Sequence, residues 1–202
     1  MIIVPPPLRV NSFRWALQRN DIESRSVFGS QSIEAASPLW AVSMAGVTLK
    51  KNEAVALEVF LEAIAGKRNQ VQMHHRAHKV PAGTLRSALT VRTAATAGAT
   101  VLQLQAGAGA GQTLLRGDLI GLGSVLTQQV VRLAADAVTA ADGSLTAALN
   151  TPLRNAFAAG AAVQWNAPAA LFRQRENSAG IEYVPGVFGM GWTLDLLEDW
   201  RP

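Results

Sequence analysis

The chain has 202 residues, of which 49% are hydrophobic and 16% charged, with a net charge of +4 and no cysteine. That length admits one large domain or two small ones around a real core, and the lack of cysteine excludes disulfide scaffolds, thiolate metal sites and cysteine nucleophiles. Eighteen Lys and Arg spread over 202 residues fall short of the concentrated basic face that nucleic-acid backbones require, and a charged share well below the usual value of about a quarter points to surface hidden against partner subunits.

Met1-Ile2-Ile3-Val4-Pro5-Pro6-Pro7 does not read as a secretory leader, because it has no basic start and its apolar run is short. No stretch of about 18 apolar residues offers a membrane span. The triple proline is extended. Leu8 to Leu17 is predicted as a strand, with Phe13 and Trp15 on one face and Arg14 between them. A turn signal closes Ser26–Ser30. Leu39–Met44 is a second predicted strand, entered after a Ser-Pro break. A helix follows, with Asn52 as its expected N-cap and Glu53 in the first turn. Its apolar stripe is Leu57, Phe60, Leu61 and Ile64, at i, i+3, i+4 and i+7. Gly66 is expected to end it, with Lys67-Arg68 at its negative end. Gln70–His74 then alternates as a strand, ended by Pro81-Ala82-Gly83.

From about Leu85 the charge thins and Ala, Thr, Gly and Val dominate through Ala170. Short strands are predicted at Leu89–Thr93, Val101–Gln105, Leu119–Leu122, Gln129–Leu133, Ser144–Ala148 and Ala162–Trp165. The glycines at 107, 109 and 111 do not make a phosphate loop, since no Lys-Ser/Thr follows and no helix opens; they read as a hairpin tip. After Pro168, Leu171-Phe172-Arg173 reads as a strand, residues 174–180 as a polar loop, and Gly191–Trp200 as a closing strand that alternates Trp192, Leu194 and Leu196 with polar residues. The expected fold is mainly β. Residues 1–84 together with 171–202 build a β-sandwich with one α-helix, and residues 85–170 form an inserted small β-barrel or sandwich. Trp40, Leu57, Phe60, Leu61, Ile64, Trp192, Leu194 and Leu196 are its expected core and assembly residues.

Little reactive chemistry is spelled out. His74 and His75 on a strand point to opposite faces, and no acid lies near them or His78 to complete a metal site. Gly121-Leu122-Gly123-Ser124-Val125 lacks the second glycine of a nucleophile elbow. Glu198 and Asp199 are adjacent on a strand and diverge. No enzyme activity, cofactor or metal is expected. Trp40, Trp165, Trp192 and Trp200 are alternatively read as core residues or as a sugar-stacking platform, with Trp165 the one candidate for a sugar or receptor contact.

Several motifs, taken in order, resemble one family. They are a strand bearing Trp40, a helix rich in Ala, Leu and Phe that ends in Gly66-Lys67-Arg68-Asn69, and a strand with Gln72. Leu114-Leu115-Arg116-Gly117-Asp118-Leu119-Ile120-Gly121-Leu122-Gly123 follows, then Val130-Val131, Asp142-Gly143, Thr151-Pro152-Leu153-Arg154, Gly160-Ala161-Ala162-Val163, Pro168 and Phe172. This order is similar to that of the distal tail proteins, the tail-tip hubs of long-tailed bacteriophages, and covers most of residues 39–200. The resemblance implies a virion protein made in the host cytoplasm. It implies a hexameric ring that joins the tail tube to tip and fibre proteins, with DNA passing through its lumen without specific binding. It also implies an outward-facing inserted domain, which in some members is galectin-like; a host-surface glycan on Trp165 is the corresponding alternative. The insert departs from that pattern in being poor in aromatic and charged residues.

Overall fold

The computed structural model describes residues 1–7, 9–46, 50–107, 109–176, 181–184 and 187–200. Leu8, Ala108 of the Gly-Ala stretch and residues 177–180 of the expected polar loop lie outside the described residues. In chain order the elements are β1 (Ile2–Ile3), β2 (Ser12–Ser26), β3 (Gly29–Gly46), α1 (Lys51–Ile64), β4 (Gln70–His74), β5 (Leu89–Val91), β6 (Val101–Ala106), β7 (Thr113–Leu114) and β8 (Leu119–Leu122). Then come β9 (Gln129–Arg132), β10 (Ala137–Val138), β11 (Ser144–Ala148), β12 (Ala162–Gln164), β13 (Ala169–Gln174), β14 (Ile181–Val184) and β15 (Val187–Glu198). Over the described residues the protein is mainly β with one α-helix. It divides into two compact units, Met1–Met73 with Leu171–Asp199, and His74–Ala170 with Trp200.

The first unit holds a sheet of order β1-β4-β13-β15-β3-β2, with β14 also pairing β15. Alternation sorts its two faces. Phe13, Met44 and Leu194 form one row across β2, β3 and β15, and Trp15, Val42 and Leu196 the next. Met44, Val42, Leu194 and Leu196 are buried, as are Trp40 and Trp192. Trp15 sets its ring edge-on to Phe172 at 5.2 Å and lies 5.9 Å from Trp40, a geometry aromatic quadrupoles favour. On the other face Arg14, Ser43 and Asp195 are exposed. Trp192 pairs with Gly46, and a Cβ on Gly46 would overlap its indole; glycine here is what lets the ring lie on the backbone.

The helix lies against β15 and buries Ala54, Leu57, Phe60 and Ile64. Leu61 is only half-buried, so the expected four-residue stripe narrows on that side. The helix also starts earlier than Asn52. Its N-cap is Lys50, whose backbone N–H donates to the Glu53 carboxylate at 3.0 Å, the acidic half of a capping box. Arg9 pairs with the other Glu53 oxygen at 2.9 Å. At the far end the left-handed cap is Ala65 rather than Gly66. The Asn69 amide donates to the Ala63 carbonyl at 2.8 Å, one of the acceptors that every helix end leaves over.

The N-terminal strands depart most from expectation. β2 begins at Ser12, not Leu8, and runs on to Ser26; β3 extends unbroken through Ser37-Pro38. Gln18 pairs with Leu39 and Asn20 with Ala36, so two residues, Ser37 and Pro38, stand opposite Arg19. The Ser-Pro step therefore makes a bulge, where a residue without an N–H is tolerated. Among the described residues β15 pairs β3 only from Ala41 to Gly46. Beyond that, β2 and β3 continue as a two-stranded ribbon whose residues Arg19 through Glu34 are all exposed.

In the second unit a sheet of order β11-β6-β5-β12-β8-β9 is accompanied by the small pair β10-β7. The sheet curls until its edges meet. Leu133 bridges Leu149, Ala134 donates to the Ala148 carbonyl at 2.8 Å, and Asn150 donates to the Arg132 carbonyl at 2.9 Å. Leu102, Leu104, Ile120, Val131, Leu145 and Phe157 are among the residues filling its interior.

Candidate functional site

The 114–123 motif builds a clamp rather than a reactive centre. Gly117 takes a φ of +95° in the turn before β8. This lets the buried Asp118 fold its carboxylate back over the loop. Its two oxygens accept the backbone N–H groups of Ala82 (2.7 Å), Gly83 (3.2 Å) and Leu115 (2.7 Å). The 151–154 motif is held in the same style. Buried Gln129 accepts the Arg154 N–H at 2.9 Å and donates to the Pro152 carbonyl at 3.2 Å, while Leu153 enters the core. Arg154 lies over the Trp200 ring at 5.7 Å. Ser124 caps a short turn, its carbonyl accepting the Thr127 hydroxyl at 2.9 Å.

Trp165 is half-buried against the core of the second unit. Its indole N–H donates to the Ser87 carbonyl at 2.8 Å. Arg86 stands 5.8 Å over its ring, held there by the carbonyls of Pro81, Gly83 and Leu85. The polar edge and one face of the indole are thus engaged. Of the other tryptophans considered as a platform, Trp40 and Trp192 are core residues of the first unit, and Trp200 is half-buried beneath Arg154.

The acids at the end of β15 are structural ties. Buried Glu198 accepts the Trp40 backbone N–H at 2.9 Å. One Asp199 oxygen accepts Arg173 at 2.6 Å and the Gln70 amide at 2.5 Å, and Arg173 also reaches the Lys67 carbonyl at 2.7 Å. On the outer sheet face a cleft of about 480 Å³ is lined by Arg14, Ala16, Ser43, Arg175, Glu176 and Asp195. Its two cations and two carboxylates leave no net charge to select a ligand.

His74 ends β4, and His75 lies beyond it in the turn, so the strand geometry expected for the pair does not apply. His75 is buried and its ring lies 4.6 Å from that of His78. Its Nδ1 accepts the backbone N–H groups of Ala77 (3.2 Å) and His78 (3.0 Å), which requires an unprotonated Nδ1. Burial, with His78, Arg132 and His74 nearby, pushes its pKa from 6.5 down to about 4. Burial, Lys79 and Arg76 also lower that of His74. Between those pH values the unfolded chain binds the His75 proton and the folded chain does not. Stability from this group is therefore fully present above pH 6.5 and is lost as the pH falls toward 4. The melting temperature should drop across that window, and His75→Asn, whose Oδ1 can accept where Nδ1 does but cannot titrate, should flatten the drop. An equal slope in the variant would assign the effect to other groups. Among the described residues no group of three or more His, Cys, Asp or Glu comes together to hold a metal ion, and no helix is long and apolar enough to cross a membrane.

Residue-by-residue reading missed the ribbon. Ile22 and Ile33 face each other across it and are well exposed. At its tip Val27 is 97% and Phe28 99% exposed. The available signal was two apolar residues set in the turn between Ser26 and Gly29. No protein-family model matches the chain, and no curated protein matches it.

Proposed function

We propose that this chain is a structural subunit of a bacteriophage tail tip, of the distal-tail-protein kind, which closes with copies of itself into a six-membered ring between the tail tube and the tip or fibre proteins. The observation that carries this reading is the edge of the first sheet. Among the described residues that sheet ends on β2, fifteen residues long, with a strand paired to it on one side only. A free edge of that length is a liability in an isolated molecule and a pairing surface in an assembly. A contact between two different surfaces of one subunit, repeated around an axis, removes every free edge when the rotation closes. The six-fold symmetry and the tail-tip location are what the resemblance of this chain's motifs to that family implies. The engaged edge and face of Trp165 favour this reading over a carbohydrate- or receptor-binding module. Gold-labelled antibodies against the chain, applied to particles of the phage that encodes it, should mark the tail end distal to the head. Label on the head, or none on intact particles, would overturn the assignment.

A further inference from the structure

The β2–β3 ribbon has the chemistry of an arm awaiting a partner. A two-stranded ribbon with no third strand is marginal in water, and this one carries an additional cost. Asp21 and Glu34 stand directly opposite each other, a like-charge pair that destabilises a ladder. Glu23 on the same face is neutralised by Arg25 at 3.0 and 3.2 Å; among the described residues Asp21 and Glu34 have no cation in salt-bridge range. The tip adds Val27 and Phe28, almost wholly exposed.

The complementary surface lies in the same chain. The second unit carries seven Lys and Arg against three Asp and no Glu over residues 74–170, which accounts for the whole positive balance of the protein. Part of that charge is gathered where the unit begins. Arg76 and Lys79 act on His74, and Arg132 acts on His75. His78 and Lys79 are exposed there, beside Val80, an exposed apolar side chain.

We propose that the ribbon of one copy docks on the Arg76–Val80 segment of a second copy, with Asp21 and Glu34 against Lys79 and its neighbours and the Val27–Phe28 tip covering apolar surface beside them. The inference rests on the ring reading and names its contact. The two surfaces differ, so the pairing is head-to-tail, the kind that builds rings. Opposed charges set its register and its rate of formation.

The test is sedimentation velocity on the full chain at 0.1 M salt. Phe28→Ser, and Asp21→Lys with Glu34→Lys, change only exposed positions and should leave the fold intact. Each should weaken self-association about tenfold or more. Lys79→Glu should weaken it alone and restore part of it when combined with the ribbon lysines. If these variants assemble as the unaltered chain does, the ribbon is not the contact, although the ring stands. If the ribbon variants fail to assemble but Lys79→Glu neither weakens nor rescues, the named docking site is wrong. If the unaltered chain stays monomeric at every concentration, the ring reading falls and this inference falls with it.

Discussion

Replacing Asp118 with alanine should lower the stability of the His74–Ala170 unit by about 3–5 kcal/mol. The carboxylate is the shared acceptor for the N–H groups of Ala82, Gly83 and Leu115. Hydrogen bonds to an ionised acceptor contribute about 1.5–3 kcal/mol each, and a buried donor left without a partner costs a further desolvation penalty. Part of the loss returns as water reaches the outer donors. The loss does not return at Gly83, whose N–H is buried with the acid and whose Cα is so close to Thr113 that a Cβ would overlap that residue's carbonyl. Asp118→Asn keeps one acceptor oxygen and should cost about half as much. Urea unfolding measures the energy. Hydrogen exchange gives the local signature, with faster exchange at Ala82, Gly83 and Leu115. A change in Asp118→Ala within about 0.5 kcal/mol, the range of ordinary surface substitutions, would show that the clamp does not hold the unit.

Phe60→Asp should unfold the first unit. Phe60 is 4% exposed on the buried face of α1, between Leu57 and Ile64, which are fully buried. Removing the ring alone costs about 3–5 kcal/mol, and a carboxylate without a partner adds the cost of desolvating a charge. Together these equal most of the stability of an ordinary domain. Two controls give the measurement its meaning. Phe60→Leu keeps an apolar side chain and should cost little more than about 1 kcal/mol. Val59→Asp, at an adjacent position that is 59% exposed, should stay within about 0.5 kcal/mol. If Phe60→Asp folds with native helix content, α1 does not depend on its buried stripe.

Where a short run with buried apolar residues is bounded by turn residues, its position is readable from the chain, whether one face is buried, as along Ser144–Ala148, or every position, as along Leu119–Leu122. Gln70–His74, Leu119–Leu122 and Ser144–Ala148 have the ends that their composition predicts. The ribbon was not readable for the same reason. From Arg19 to Glu34 neither face is buried, so no hydrophobic period marks the strands, and Ser37-Pro38 resembles a break although it is a bulge. The helix start shifted because Glu53 reaches back to Lys50, a contact that outweighs the capping preference of Asn52. The role of Asp118 was hidden by distance along the chain. Its motif position was evident, but Ala82 and Gly83 lie 36 and 35 residues away. Trp165 stood out as a lone aromatic in a bland insert, and only the fold shows it engaged by Ser87 and Arg86.

The proposed ring requires this chain to pack against copies of itself. Native mass spectrometry of the purified full chain at micromolar concentration tests it most directly. A six-membered ring should give a dominant species at about six times 21.4 kDa, dissociating on dilution in high salt. A single 21.4 kDa species at every concentration would contradict it.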